Sequence, residues 1–417
     1  SEAVYMVNLD SGEAIVDING EDERVPASLT KIMTAVVLLD KFKGDEQKLK
    51  DTYYSAGSEA FDELYDTGAS TADIQPGEEV SCYDLLAALL IPSSCEAANI
   101  IALNVSDSIT EFTDLMNEKA EKLGMENTHF SNAHGLWAQQ NYSSCKDMAT
   151  LCEYAISKYQ VFRDIVCLPS YHMASTSYHS DGTDIYNTNL MLDSMTDYYY
   201  SYAKGIKTGT LDSAGRCLAS YAEYEGTTYL IVTMGAPMDK LEEDVKKGEK
   251  DPDSIYGGDN VYYNLLDHIS LYKWAFSSLV ATDFVDKDSE VRDVKVSYGD
   301  GIDYANLKPA NGFTRLWPVD ISVNDVEKKI TVYDNVVAPV EVGDVLGMEL
   351  VYKGEVLATI DLVSTTKVER SQVKAKVKIA KSYFESSVFK VTLTILIALI
   401  VIYSVIHIAK IQKKYMK

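Results

Sequence analysis

Basic side chains are scarce in this sequence. Lys and Arg number 38 against 63 Asp and Glu, a net charge of -25 over 417 residues. Phosphate backbones are bound by releasing counterions with basic side chains, so this balance excludes a nucleic-acid partner. The basic cluster is confined to the last eight residues, with Lys410, Lys413, Lys414 and Lys417. Cysteine is scarce as well: six residues are too few for a disulfide framework. Cys145 and Cys152 lie seven apart on one expected helix, so they are read as sharing a face and not a bond. The chain has no His-Glu-x-x-His, no paired Cys-x-x-Cys and no Gly-x-Gly-x-x-Gly. Neither a metal site nor a dinucleotide cofactor is therefore expected. Asp251, Asp253 and Asp259 are spaced faintly like a calcium loop, but Ile255 occupies a ligand position, and the segment reads as a solvated acidic loop. What is present is globular: 46% apolar and 24% charged residues exclude a chain disordered throughout.

The one long hydrophobic run is at the C-terminus. Val391–Ala409 contains no Asp, Glu, Lys or Arg. Its length suits a helix crossing roughly 30 Å of hydrocarbon. The lysines that follow mark a cytoplasmic side. The expectation is a single-pass membrane protein, with a span over residues 388–409, a basic cytoplasmic tail over 410–417 and the acidic bulk outside the cell. Such export needs a signal peptide, presumed removed, because the chain opens on SEAVYMVNLD, which already reads as folded sequence.

Alternation over residues 3–19 around Asp10-Ser11-Gly12 predicts a β-hairpin. Residues 28–42 predict a helix apolar on nearly every face, which belongs at the centre of a domain. Helices are predicted over 81–91 and 95–105, broken at Pro92-Ser93-Ser94, and again over 110–123 and 144–159. Residues 204–235 alternate as three strands, and 262–280 read as a closing helix. From about residue 285 the pattern changes to short β runs separated by Gly, Asp and Asn. The expected organisation is an α/β domain over 1–280, an antiparallel sheet with helices on both faces, then a small all-β sandwich over 285–375. A polar linker, residues 376–387, leads to the span.

The residue pair that suggests chemistry is Ser28 with Lys31. On a helix, positions i and i+3 share a face. A serine hydroxyl needs a base to act as a nucleophile, and lysine becomes one when burial or a second cation lowers its pKa. Ser-x-x-K alone carries little weight: it begins at Ser28, Ser143, Ser201, Ser270, Ser364, Ser371 and Ser387. Two features single out the first. Lys207-Thr208-Gly209 occurs once, followed by Thr210 at a strand edge, where a glycine would allow a substrate backbone to approach. Ser93-Ser94-Cys95 lies in the break between two helices, where Ser93 could relay a proton.

Ser-x-x-Lys, a second serine motif and Lys-Thr-Gly, in that order, resemble the penicillin-binding proteins and serine β-lactamases. The surrounding text, PASLTKIMTA (26–35), DLLAALLIPSSCEAAN (84–99), FSNAHGL (130–136), NTNLML (187–192) and KTGTLDSAGRCLAS (207–220), is similar to the low-molecular-mass D-alanyl-D-alanine carboxypeptidases. Residues 340–371 resemble the β-rich C-terminal domain of those enzymes. The resemblance covers nearly the whole chain. It implies a serine peptidase that trims peptidoglycan stem peptides and is acylated by β-lactam antibiotics. Ser28 would be the nucleophile, Lys31 its base and Ser93 the proton shuttle. Lys207, Thr208, Gly209 and Thr210 would bind the terminal carboxylate, with the Ser28 and Thr210 amides as oxyanion hole.

The chain departs from the pattern twice. The second motif usually ends in an asparagine whose amide touches substrate and lysine, and here Cys95 stands in that place. Relatives carry an arginine near the position of Tyr229, whereas this chain has Arg216 on the strand before it, a candidate carboxylate ligand. His134 reads as a structural residue under the site, and Tyr198-Tyr199-Tyr200 as a candidate groove wall. Transpeptidase or endopeptidase activity shares the same acyl-enzyme and stays open. An inactive membrane-tethered scaffold is disfavoured because Ser28, Lys31, Ser93 and Lys207 are all present.

Overall fold

A computed structural model describes residues 1–238 and 261–415. The acidic segment with Asp251, Asp253 and Asp259 lies outside the described residues. Two compact units are formed, Ser1–Leu279 and Val280–Lys417.

The first unit opens with the hairpin β1 (Ala3–Asn8) and β2 (Ala14–Ile18). Asn8 Oδ1 accepts from the Asp10 and Ser11 amides and shapes its turn. A 3₁₀ turn, Ala27–Leu29, then leads into α1 (Thr30–Phe42). Ser28 therefore sits in the tight turn ahead of the α-helix and not inside it. Pro26 fixes the entry, and Ala27 takes a left-handed φ of 47°. Nearly every side chain of α1 is buried, as its all-round apolarity requires.

Next come α2 (Glu46–Asp51), the two-residue strands β3 (Tyr53–Tyr54) and β4 (Val80–Ser81), α3 (Cys82–Leu90) and α4 (Cys95–Val105). The helix break is built by two serines with different tasks. Ser94 caps α4 through its Oγ, which accepts from the Ala97 amide. Ser93 takes φ 71° and makes the turn. Helices α5 (Ile109–Leu123), α6 (Cys145–Lys158) and α7 (Gln160–Val166) precede a small ribbon, β5 (Ser170–Met173) with β6 (Thr183–Tyr186). Strands β7 (Ala203–Leu211), β8 (Gly215–Tyr224) and β9 (Thr227–Ala236) and helix α8 (Tyr263–Ser278) complete the unit.

The main sheet runs β2-β1-β9-β8-β7, antiparallel throughout. Successive side chains along a strand point to opposite faces. Cys217, Ala219 and Tyr221 of β8 enter the large core beside α6 and α1. Ser220 points the other way and meets His268 and Tyr272 of α8. Helices thus cover both faces. All six cysteines are unpaired, and Cys145 and Cys152 are buried together in the α6 face.

The second unit pairs β10 (Leu279–Val285) with β13 (Phe313–Pro318). Beside them is a five-stranded sheet, ordered β11 (Arg292–Lys295), β12 (Tyr304–Pro309), β16 (Glu355–Ser364), β15 (Val345–Lys353), β14 (Glu327–Val332). Phe284 and Trp317 of the pair, with ring centroids 5.1 Å apart, share a core with Val351 and Ile360 of the larger sheet. Residues expected as a polar linker instead form α9 (Gln372–Glu385). It is held to the β unit by buried Ala375, by Lys374 Nζ donating to the Gly299 carbonyl at 2.8 Å, and by Lys378 over the Tyr298 ring. Helix α10 (Ser387–Tyr415) follows, and Ser387–Gln412 is long and apolar enough to cross a membrane.

Candidate active site

The sequence motifs converge at the start of α1. Lys31 is wholly buried, and its Nζ lies 3.0 Å from Ser28 Oγ, 3.3 Å from Cys95 Sγ and 2.6 Å from the His134 carbonyl oxygen. A neutral amine offers two N–H donors and one lone pair. It can donate to the carbonyl and the sulfur while its lone pair faces the Ser28 hydroxyl. Burial, the largest effect, holds the Lys31 pKa below the usual lysine value, with Cys95 and Glu96 pulling the other way. Lys207 is buried nearby, and burial followed by repulsion from Lys31 puts its pKa well below normal.

A cavity of about 310 Å³ opens onto this cluster. Ser28 and Ser93 line one side, and Thr208, Gly209 and Thr210 of β7 another. Ser93 is 3% exposed, yet its Oγ has no hydrogen-bond partner among the described residues. A buried hydroxyl without a partner costs stability, and this one lies on the cavity lining, beside the space a ligand would fill. Thr208 Oγ1 is 2.6 Å from Thr188 Oγ1, which also faces the cavity. Ser70, Tyr262 and Leu265 close the rim. A larger groove, about 760 Å³ along Arg24, Asp212 and Met238, is lined by none of Ser28, Lys31, Ser93 and Lys207–Thr210.

Gly209 lines the cavity and also faces the nucleophile turn. A Cβ there would lie 3.1 Å from Ala27 Cβ, from the Pro26 oxygen and from the Ser28 nitrogen. The glycine thus lets β7 approach the nucleophile turn of its own chain. Gly135 does the same from below: it adopts φ 81°, and a Cβ would stand 2.0 Å from the Ala27 oxygen.

Cys95 is 2% exposed and does not line the cavity, so it touches the lysine and not the space a substrate would fill. Arg216 does line it. This residue pairs in register with Thr210, donates from Nη1 to the Val261 carbonyl at 2.6 Å and stacks 4.1 Å from the Tyr262 ring. The tyrosine triplet does not form a wall. Tyr200 is buried against the Tyr272 ring, and Tyr198 accepts the Tyr262 amide through its hydroxyl. These rings are consumed in packing α8 to the sheet, and Tyr262 reaches the cavity in their place. His134 is buried, with Nδ1 accepting from the Leu136 amide and Nε2 3.0 Å from Glu63 Oε1. Burial lowers its pKa. Asn99 also donates to Glu63, at 2.9 Å. Ser70, Tyr262 and Glu63 had no local signal in the sequence, whereas the NTNLML segment contains Thr188.

The family model for D-alanyl-D-alanine carboxypeptidase matches residues 1–238, and that for the C-terminal domain of penicillin-binding protein 5 matches residues 281–370. The D-alanyl-D-alanine carboxypeptidase DacF of Bacillus subtilis is 27% identical over 365 residues, 86% of this chain and 83% of that one. DacC of Escherichia coli is 31% identical over 257 residues, 58% of each chain. The crystal structure of the carboxypeptidase DacD from Francisella tularensis shares the fold, with a TM-score of 0.68 at 21% identity, covering 89% of this chain and 94% of that one. The Streptomyces K15 DD-transpeptidase is 29% identical with a TM-score of 0.50, covering 59% and 94%. With these matches and the assembled serine–lysine cluster, the chain belongs to the D-alanyl-D-alanine carboxypeptidase family.

Proposed function

We propose that this carboxypeptidase removes the terminal D-alanine from peptidoglycan stem pentapeptides through an acyl-enzyme on Ser28. The 3.0 Å separation between Ser28 Oγ and the buried Lys31 Nζ carries the reading. Ser28 Oγ attacks the carbonyl carbon of the penultimate D-alanine while Lys31 takes its proton. The oxyanion is held by the Ser28 and Thr210 amides. The C–N bond breaks, and the leaving amine receives a proton through Ser93. Water, deprotonated by the same base, then hydrolyses the ester. Lys207, Thr208 and Thr210 receive the substrate carboxylate, with Arg216 beside them. The guanidinium is held at the rim by Val261 and Tyr262, which supports that assignment. Penicillins acylate the same serine. The apolar α10 anchors the protein in the membrane with the catalytic unit outside the cell.

The test is D-alanine release from a peptide ending in Lys-D-Ala-D-Ala, by the full chain in detergent and by a Ser28→Ala variant. Release by the parent alone supports the reading; release by both assigns the wrong serine. The likeness to a transpeptidase favours a second reading, transfer of the acyl group to an amine. Added glycine or D-amino acid acceptors would then appear in the product.

A further inference from the structure

Cys95 has no step in the reaction above, yet it lies against the base. The 3.3 Å between its Sγ and Lys31 Nζ falls within the roughly 3–3.5 Å at which reacting atoms are poised for bond formation. The two side chains are locked in place: Cys95 begins α4 and its amide donates to the Ser70 carbonyl at 2.8 Å, while Lys31 is fixed by His134. Ser28, 3.0 Å from the lysine, lines the cavity, so a small peroxide entering there has only this side chain to pass before it meets the buried pair. We infer that Cys95 and Lys31 form an oxidative cross-link, a sulfenamide made by a small peroxide, that switches the enzyme off reversibly.

The chemistry balances. The Cys95 thiol attacks one peroxide oxygen, the O–O bond breaks, and a sulfenic acid and water result; sulfur is oxidised by two electrons and the peroxide reduced. The Lys31 amine then attacks that sulfur. The N–S bond forms, the S–O bond breaks, and an amine proton leaves with the oxygen as a second water. Sulfenic acids condense with nitrogen nucleophiles in this way. Burial favours the neutral amine that the second step needs. Burial pushes the Cys82 thiol up to about 12 and Cys217 to about 11, which makes these two thiols poor nucleophiles. Two equivalents of an external thiol reverse the link, returning amine, cysteine and a disulfide. While linked, the Lys31 nitrogen is a sulfenamide tied to sulfur, a much weaker base than the free amine.

The link itself does not depend on the proposed reaction; only its effect on activity rests on Lys31 being the base. The test exposes the full chain in detergent to graded hydrogen peroxide, followed by tryptic peptide masses and D-alanine release. The expected product joins the Lys31 and Cys95 peptides, two hydrogens lighter than their sum, and trypsin no longer cleaves after Lys31. D-Alanine release falls by about 10²-fold at full linkage, the share a general base supplies, and dithiothreitol restores it. A Cys95→Ser variant, compared with its own untreated activity, keeps its rate; Cys167→Ser responds as the parent does. The inference is overturned if Cys95 is recovered as thiol or sulfinic acid with Lys31 free. It is overturned equally if Cys95→Ser loses the same fraction of activity, or if linked protein stays active. An untreated parent that releases no D-alanine would sink the reaction and leave the peptide masses to decide the link.

Discussion

Gly209→Ala tests the idea that the glycine of the Lys-Thr-Gly triplet serves the nucleophile turn. The new Cβ would stand 3.1 Å from three atoms of residues 26–28. Carbon atoms rest at about 3.5–4.0 Å, so several tenths of an ångström must be found. Neither side yields cheaply. β7 is tied in register to β8 from Ile206 to Leu211, and the turn is pinned by the Leu29 amide on the Pro26 carbonyl and by Gly135 beneath Ala27. Overpacking of this kind costs about 1–3 kcal/mol. For a unit of this size that lowers Tm by roughly 2–12 °C. The displacement falls on the Ser28 nitrogen, one of the two oxyanion donors in the proposed mechanism. Loss of one such donor costs about 10²–10³ in rate, and a partial shift should cost roughly 10–100-fold in kcat/KM. The assays are D-alanine release, the second-order rate of acylation by a fluorescent penicillin, and a thermal melt. Acylation within about threefold of the parent, with an unchanged Tm, would refute the steric argument.

Ser93→Ala should separate stability from activity. It removes a buried hydroxyl without a protein partner, so Tm should hold or rise, while D-alanine release falls by about 10²–10⁴ if Ser93 relays the proton; a fall in both would make Ser93 structural. The acylation rate should rise with pH and level off below the ordinary lysine value of 10.5, because Lys31 must be neutral and burial lowers its pKa. Stability follows the same sign: the unfolded lysine binds more protons than the buried one, so the thermal midpoint rises with pH across that window. A profile that begins to climb only near 10.5 would count against the neutral base. Gly135→Ala, placing a Cβ 2.0 Å from the Ala27 oxygen in a left-handed backbone, should abolish soluble expression or lower Tm by more than Gly209→Ala does.

The elements with the strongest periodicity were legible in the chain. The hairpin, α1, the helix pair around Pro92 and the three strands after residue 203 appear within a few residues of their expected bounds. The short helices α2 and α7 and the ribbon β5–β6 carry too few residues for a periodic signal. Helix α9 was hidden by its polarity, and its helical form goes with packing on Tyr298 and Gly299.

The sequence by itself determined the chemistry on offer: a serine three residues before a lysine, on the edge of an apolar helix, with a second serine and a lysine–threonine–glycine strand. Tertiary structure alone decided how these meet. Ser28 was expected inside the helix and stands in the turn before it. Gly209, expected to admit a substrate, lines the cavity and also admits the chain's own backbone. Cys95, expected beside both substrate and lysine, lies on the lysine and off the cavity wall, while Tyr262, from a distant helix start, takes the place expected of the tyrosine triplet. Spacing along a chain encodes local faces, period by period. Contacts between segments a hundred or more residues apart depend on packing of the whole core, which no local pattern records.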